Sequence, residues 1–225
     1  MLSNLSLVYD DEVHKNLTYA LALAAGFNSL DANAIAYADV RRDYDADSNP
    51  MPQGKKDVLS GANKKRLAAW HFVTAERLNE IDQIWRSSGN VADLGKFMHT
   101  FQDTFSHRGL GPWTGQVGTR VDENGEVQRD STTEAEWHQV DDPSRRPELA
   151  KDMAKQSYDR LVEAAGIIYR KKPDIVIIYP AVGWSAIASE VSDFCTDADA
   201  ISREAGADKL AQRLEANQRK LTPIK

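Results

Sequence analysis

Residues 91–108, VADLGKFMHTFQDTFSHR, decide how this chain is read. Asn90 stands before them as an N-cap and Gly109 after them as a stop, so the stretch predicts one regular helix. On its wheel Leu94, Phe97, Met98, Phe101 and Phe105 gather on one side, an apolar face for a core. His99, Asp103 and His107 recur at i, i+4 and i+8, each about 40° around the axis from the last, and form a stripe on the other side. A polar stripe opposite an apolar one is ordinarily solvated. In a chain 28% charged, a solvated face is expected to carry Lys and Glu instead. Imidazole and carboxylate one turn apart can chelate a borderline metal such as zinc. Spacing alone leaves both readings open.

Outward from this helix, most of the 225 residues carry helical signals. A first helix over about 11–25 opens at the acidic pair Asp11-Glu12 and stops at Gly26. A second opens at Asp31 and runs into the Pro/Gly loop DADSNPMPQG. In KKRLAAWHFVTAERLNEIDQIWRSSG the C-terminal half reads as helix between Thr74 and Gly89, and WHFV reads as extended. Pro147 opens a helix with Leu149, Met153, Tyr158 and Leu161 on its apolar side. DIVIIYP fits a short strand or a helix segment, and a helical pattern over 197–214 is polar enough for a surface. In the long loop 109–135, TRVDENGEVQR alternates around Asn124-Gly125 and predicts a β-hairpin. The expected fold is mainly α: a single multi-helix domain with one small hairpin, 1–170 holding the metal ligands and 171–225 a helical extension packed on the same domain.

Composition bounds the function. A 41% hydrophobic content supports a sizeable core, while net charge −6 and pI near 5.4 argue against a generally basic nucleic-acid surface. No apolar run reaches the ~20 residues of a membrane span. The start, MLSNLSLVYDDEVH, lacks a basic leader and a continuous apolar region, so a cytoplasmic location is the default expectation, with leaderless secretion equally compatible. The single cysteine, Cys195, excludes an internal disulfide framework and a Cys-based zinc site. Any metal falls to histidine and carboxylate.

Only five histidines are present. His71, between Trp70 and Phe72, alone reads as a core residue; His14 reads as a surface residue and His138 as loop polarity. Together with LGKFMHTFQDTFSHRG they form a pattern that resembles the zinc-dependent phospholipase C and fungal single-strand nuclease superfamily, nearest to bacterial members with an "LHTLQDxxSHxG"-like helix. The resemblance covers about 10–165. It implies a helical fold holding two or three zinc ions and hydrolysis of phosphate esters. By the same resemblance His99 and Asp103 are the central histidine and the bridging aspartate, and His71 shares their metal. Either Asp43 or Asp39 is the upstream aspartate. His107 opens a second metal site with His138 and Asp142, Asp141 being the reserve, and His14 belongs to a third. Two departures stand out: His107 follows Asp103 by four residues rather than six and without an intervening proline, and no processed N-terminal tryptophan is expected to complete the third site.

The implied chemistry is attack on phosphorus by a metal-bound hydroxide, with Asp103 setting the spacing of two metals and Asp43 or Asp39 as ligand or local base. The substrate class spans a phospholipid headgroup, a nucleic acid or a small phosphate ester. Arg77 and Arg108 read first as surface or i,i+4 charges and second as phosphate contacts, and Trp113 first as a loop anchor. The alternatives are a non-catalytic helical interaction protein with at most a structural metal, and a metal-dependent enzyme of another reaction class on the same fold. The helices after Pro180 lie outside the resemblance and are candidates for a partner surface.

Overall fold

A computed structural model describes residues 11–50, 61–107, 119–121, 127–129, 142–173 and 177–224. Within them the chain is mainly helical: α1 (Thr18–Ala24), α2 (Ser29–Val40), α3 (Gly61–Trp70), α4 (Ala75–Ser88), α5 (Val91–Ser106), α6 (Pro147–Lys171), α7 (Ala188–Thr196) and α8 (Ala200–Gln218). A π-helical turn, Glu12–Leu17, leads into α1, and a 3-10 turn, Arg41–Asp43, tightens the end of α2. The predicted hairpin is present as β1 (Thr119–Val121) paired antiparallel with β2 (Val127–Arg129), Val121 opposite Val127; its turn lies outside the described residues. None of the described helices is long and apolar enough to cross a membrane.

Capping explains most boundaries. Thr74 Oγ1 accepts from Arg77 N at 3.3 Å, and the Asn90 side chain accepts from Ala92 N at 2.8 Å, as predicted. Gly89 closes α4 with φ +61°. Elsewhere the expectations need correction. Asp11 makes no capping bond; its carboxylate accepts from Tyr44 Oη at 2.6 Å. Asn28, not Asp31, caps α2, accepting from Leu30 N and Asp31 N, so that helix starts earlier. The WHFV segment is no strand: α3 runs to Trp70, and residues 71–74 form the break before α4. α5 ends at Ser106 with His107 as its C-cap, and Gly109 lies outside the described residues. In DIVIIYP the first three residues lie outside the described ones, and Ile178 is extended, bridging Phe27 on one side and Ile224 on the other.

One core joins α1, α2 and α4–α8. Leu94, Phe97, Met98, Phe101 and Phe105 are all buried in it, with Trp85 of α4 against Phe97 at 6.1 Å between ring centres. α8 is not a surface helix throughout: Ala207, Leu210, Ala211 and Leu214 join the same core. Its Arg203, 2% exposed, donates to Glu12 through Nε (3.0 Å) and Nη2 (2.6 Å) and to Asp142 through Nη1 (3.2 Å). This pins the turn that carries His14 and the start of α6 to α8.

The site is set by how closely α5 approaches α2. Gly95 lies against Ile35 O, Ala38 Cβ and Asp39 N, so close that a Cβ at 95 would overlap the first two. From this contact both chains step by four: Ile35 to Asp39 and Asp43, Gly95 to His99 and Asp103. Two predictions follow from these contacts. Gly95→Ala is expected to cost about 1–3 kcal/mol in urea unfolding through overpacking at the helix crossing. Arg203→Met is expected to cost about 3–5 kcal/mol by the same measurement, because it removes the guanidinium from a buried ion pair with Glu12 and from Asp142.

Candidate metal centre

Three imidazoles and three carboxylates meet where α2, α5, the His14 turn and the α3–α4 break converge. His14, Asp39, His99 and Asp103 are completely buried, His71 nearly so, and Asp43 keeps 8% of its surface. A solvated stripe on α5 is thereby excluded. His14 Nδ1 lies 2.8 Å from Asp39 Oδ1, and the His14 and His99 rings meet at a tilt of 33° with their centres 4.3 Å apart. His99 Nδ1 is 3.4 Å from the same Asp39 oxygen, while its Nε2 faces the other way, 3.2 Å from His71 Nδ1, 3.4 Å from Asp103 Oδ2 and 3.5 Å from Asp43 Oδ1. His71 Nδ1 in turn is 2.8 Å from Asp103 Oδ2 and 3.9 Å from Asp43 Oδ1.

These separations have the size of a coordination shell. Donors bound at 2.0–2.1 Å to a tetrahedral ion lie roughly 3.3–3.4 Å apart, and His71 Nδ1, His99 Nε2, Asp43 Oδ1 and Asp103 Oδ2 scatter around that value. Two groups are compact enough to hold a cation: Asp43, His71 and His99, and His14, Asp39 and His99. Asp103 sits between, its Oδ1 3.4 Å from His14 Nε2 and its Oδ2 toward His71 and His99. Asp43 Oδ1 and Asp103 Oδ1 are buried without a hydrogen-bond partner, which is costly for carboxylate oxygens unless a cation satisfies them.

The outer contacts orient the inner ones. His71 Nε2 lies 2.9 Å from the Ser48 carbonyl, which only accepts, so Nε2 carries the proton and Nδ1 presents its lone pair to the centre. Thr18 Oγ1 donates to Asp39 Oδ2 at 2.8 Å and accepts from Gln102 Nε2 at 2.8 Å. Sequence reasoning missed Ser48, Thr18 and Gln102. A backbone carbonyl leaves no signal in side-chain identity, and a buried hydroxyl–amide relay has no motif.

With no cation bound, the charges of the nest must be met by protons. Burial pulls the His99 imidazole down, but Asp43 and Asp103 override it and hold it at about 9. His14 is opposed by burial and still raised well above its ordinary value, chiefly by Asp39. Asp103 resists burial and is kept well below the usual carboxylate range by His99, His14 and His71. Burial lifts Asp43, the three imidazoles compensating only in part.

Of the second expected site, His138 and Asp141 lie outside the described residues, and only His107 and Asp142 can be placed. His107 leaves the stripe where α5 ends: its ring stacks on Phe72 at 4.3 Å and its Nδ1 lies 3.2 Å from His71 O. Asp142 is occupied structurally, accepting from Ser144 N and Oγ and pairing with Arg203, and belongs to neither cation-sized group. Arg108 and Trp113 also lie outside the described residues. His14, the residue expected in a third site, is brought onto Asp39 and Asp103 by the π-helical turn. Both Asp39 and Asp43 take part. Arg77 pairs with Glu80 at 3.0 Å, the local surface role.

The pH response follows from these groups. Because the folded His99 value of about 9 exceeds the ordinary 6.5, its contribution to stability is complete below about pH 6.5 and is lost as pH rises through 9. Chelator-treated protein is therefore expected to show a thermal midpoint that falls steadily between pH 6.5 and 9, while protein supplied with zinc holds its midpoint over that window. A chelator-treated midpoint that rises across that window would be contrary to this charge balance.

No protein family, characterised protein or solved structure matches this chain.

Proposed function

We propose that this chain is a zinc-dependent hydrolase of phosphate esters, in which Asp43, His71, His99 and Asp103 would hold one ion and Asp103 and His14 would help to hold a second. The observation that carries this reading is the placing of Asp103. It is fully buried on α5, one carboxylate oxygen toward His14 Nε2 and the other toward His71 and His99, as a carboxylate shared between two cations would be. Paired dications supply Lewis acidity, lowering the pKa of water toward neutrality and neutralising charge on a phosphoryl group in displacement. The residues divide the remaining work. Neutral imidazoles keep the centre net positive toward an anionic ester despite the acidic chain. Ser48 O holds His71 in the tautomer that faces inward. Asp43 is the least buried of the three carboxylates and so the one placed to meet an entering substrate or take a proton.

A second reading draws on the complete burial of His14, Asp39, His99 and Asp103. Such enclosure suits a structural ion in a non-catalytic helical protein. Metal content and turnover on the same preparation separate the two. The enzyme reading expects about two zinc ions per chain and hydrolysis of bis-nitrophenyl phosphate, with nitrophenyl phosphocholine and single-stranded DNA as further substrates to sort the class. Asp103→Asn is expected to lower turnover by more than the roughly 10–100-fold that outer-shell partners cost. Bound zinc with no hydrolysis of any of the three would leave the structural reading, and no bound zinc would remove both.

A further inference from the structure

The group formed by His14, Asp39 and His99 is compact enough for a cation, yet its hydrogen bonds point elsewhere. Starting from Ser48 O, His71 must protonate Nε2, so its bare Nδ1 faces Asp103 Oδ2 at 2.8 Å and His99 Nε2 at 3.2 Å. A lone pair that close to a carboxylate oxygen requires a positive charge between them. His99 Nε2 adjoins that same position, which leaves His99 Nδ1, 3.4 Å from Asp39 Oδ1 without a hydrogen bond formed, as the nitrogen to carry the proton on the Asp39 side. His14 repeats the arrangement: its Nδ1 is hydrogen-bonded to Asp39 Oδ1, and its Nε2 faces Asp103 Oδ1. Asp39 therefore has its Oδ1 facing two imidazole Nδ1 positions and its Oδ2 receiving the Thr18 hydroxyl. Asp43 and Asp103, by contrast, each keep an oxygen with no hydrogen-bond donor.

We infer that Asp39 is not a metal ligand but a positioning carboxylate, which holds His14 and His99 in the Nδ1–H tautomer and turns both Nε2 atoms toward Asp103. This rests on the metal centre proposed above. It splits two aspartates of one helix face, four residues apart, into different roles: Asp43 as ligand and Asp39 as the outer partner of two ligands at once. Thr18 and Gln102 extend the second role, fixing the Asp39 carboxylate in turn.

Long-range proton–nitrogen NMR of the histidine rings in the unaltered chain, titrated with zinc, reads the tautomers directly. The expected result is zinc uptake with Nε2 ligated and Nδ1 protonated on both His14 and His99, and the reverse attachment, Nδ1, on His71. Asp39→Asn is expected to keep the zinc count while weakening zinc affinity about 10–100-fold in chelator competition, whereas Asp43→Asn and Asp103→Asn lower the count. Zinc bound through Nδ1 of His14 or His99, or an Asp39→Asn protein that folds but takes up less zinc at saturation, would overturn the positioning role and leave the metal centre standing. Failure of the unaltered chain to take up zinc would overturn both.

Discussion

Three carboxylates are enclosed close to three imidazoles, almost wholly buried, and the rest of the molecule answers to that constraint. An isolated ionised carboxylate in such a place is prohibitively costly. Asp39 meets the cost with donors from His14 and Thr18, but Asp43 and Asp103 each retain an oxygen that nothing donates to. The core around them is ordinary aliphatic and aromatic packing, and it stabilises the fold without compensating these charges. What compensates them is a positive species at their centre, as protons or as a divalent cation, and the donor spacing fits the cation.

The helix-to-helix distance makes the enclosure possible. With a side chain at position 95, α5 would stand off from α2, and the four-residue steps that carry Asp39, Asp43, His99 and Asp103 would not face one another. A single glycine thus governs whether the donors close around a small ion. The π-helical turn at 12–17 plays a similar part for His14. It widens the backbone where the imidazole must reach inward, a use of such turns that recurs at functional sites.

Much of this was legible in the residues. The apolar and His/Asp faces of α5, the caps Thr74 and Asn90, the stop at Gly89 and the pairing of β1 with β2 rest on local rules that the tertiary structure obeys. The convergence of His14, His71, His99 and Asp103 followed from resemblance, because positions so far apart along the chain share no local pattern. What could not be read were the contacts between elements. Nothing near Ser48 marks its carbonyl as the partner of His71, and nothing in Asp142 tells a ligand from a cap held by Arg203. The helix end at Ser106 is a third case. The helix ends two residues sooner than expected, which makes His107 its C-cap, stacked on Phe72.

The pairing of Glu12 with Arg203, 191 residues downstream, bears on how the molecule is made. As the polypeptide leaves the ribosome, the turn bearing His14 emerges well before its guanidinium partner, so this ion pair forms only after the intervening residues have been made. The brace that α8 gives the His14 turn is accordingly added after the donors on α2 and α5 have been synthesised, a long-range tie across the fold.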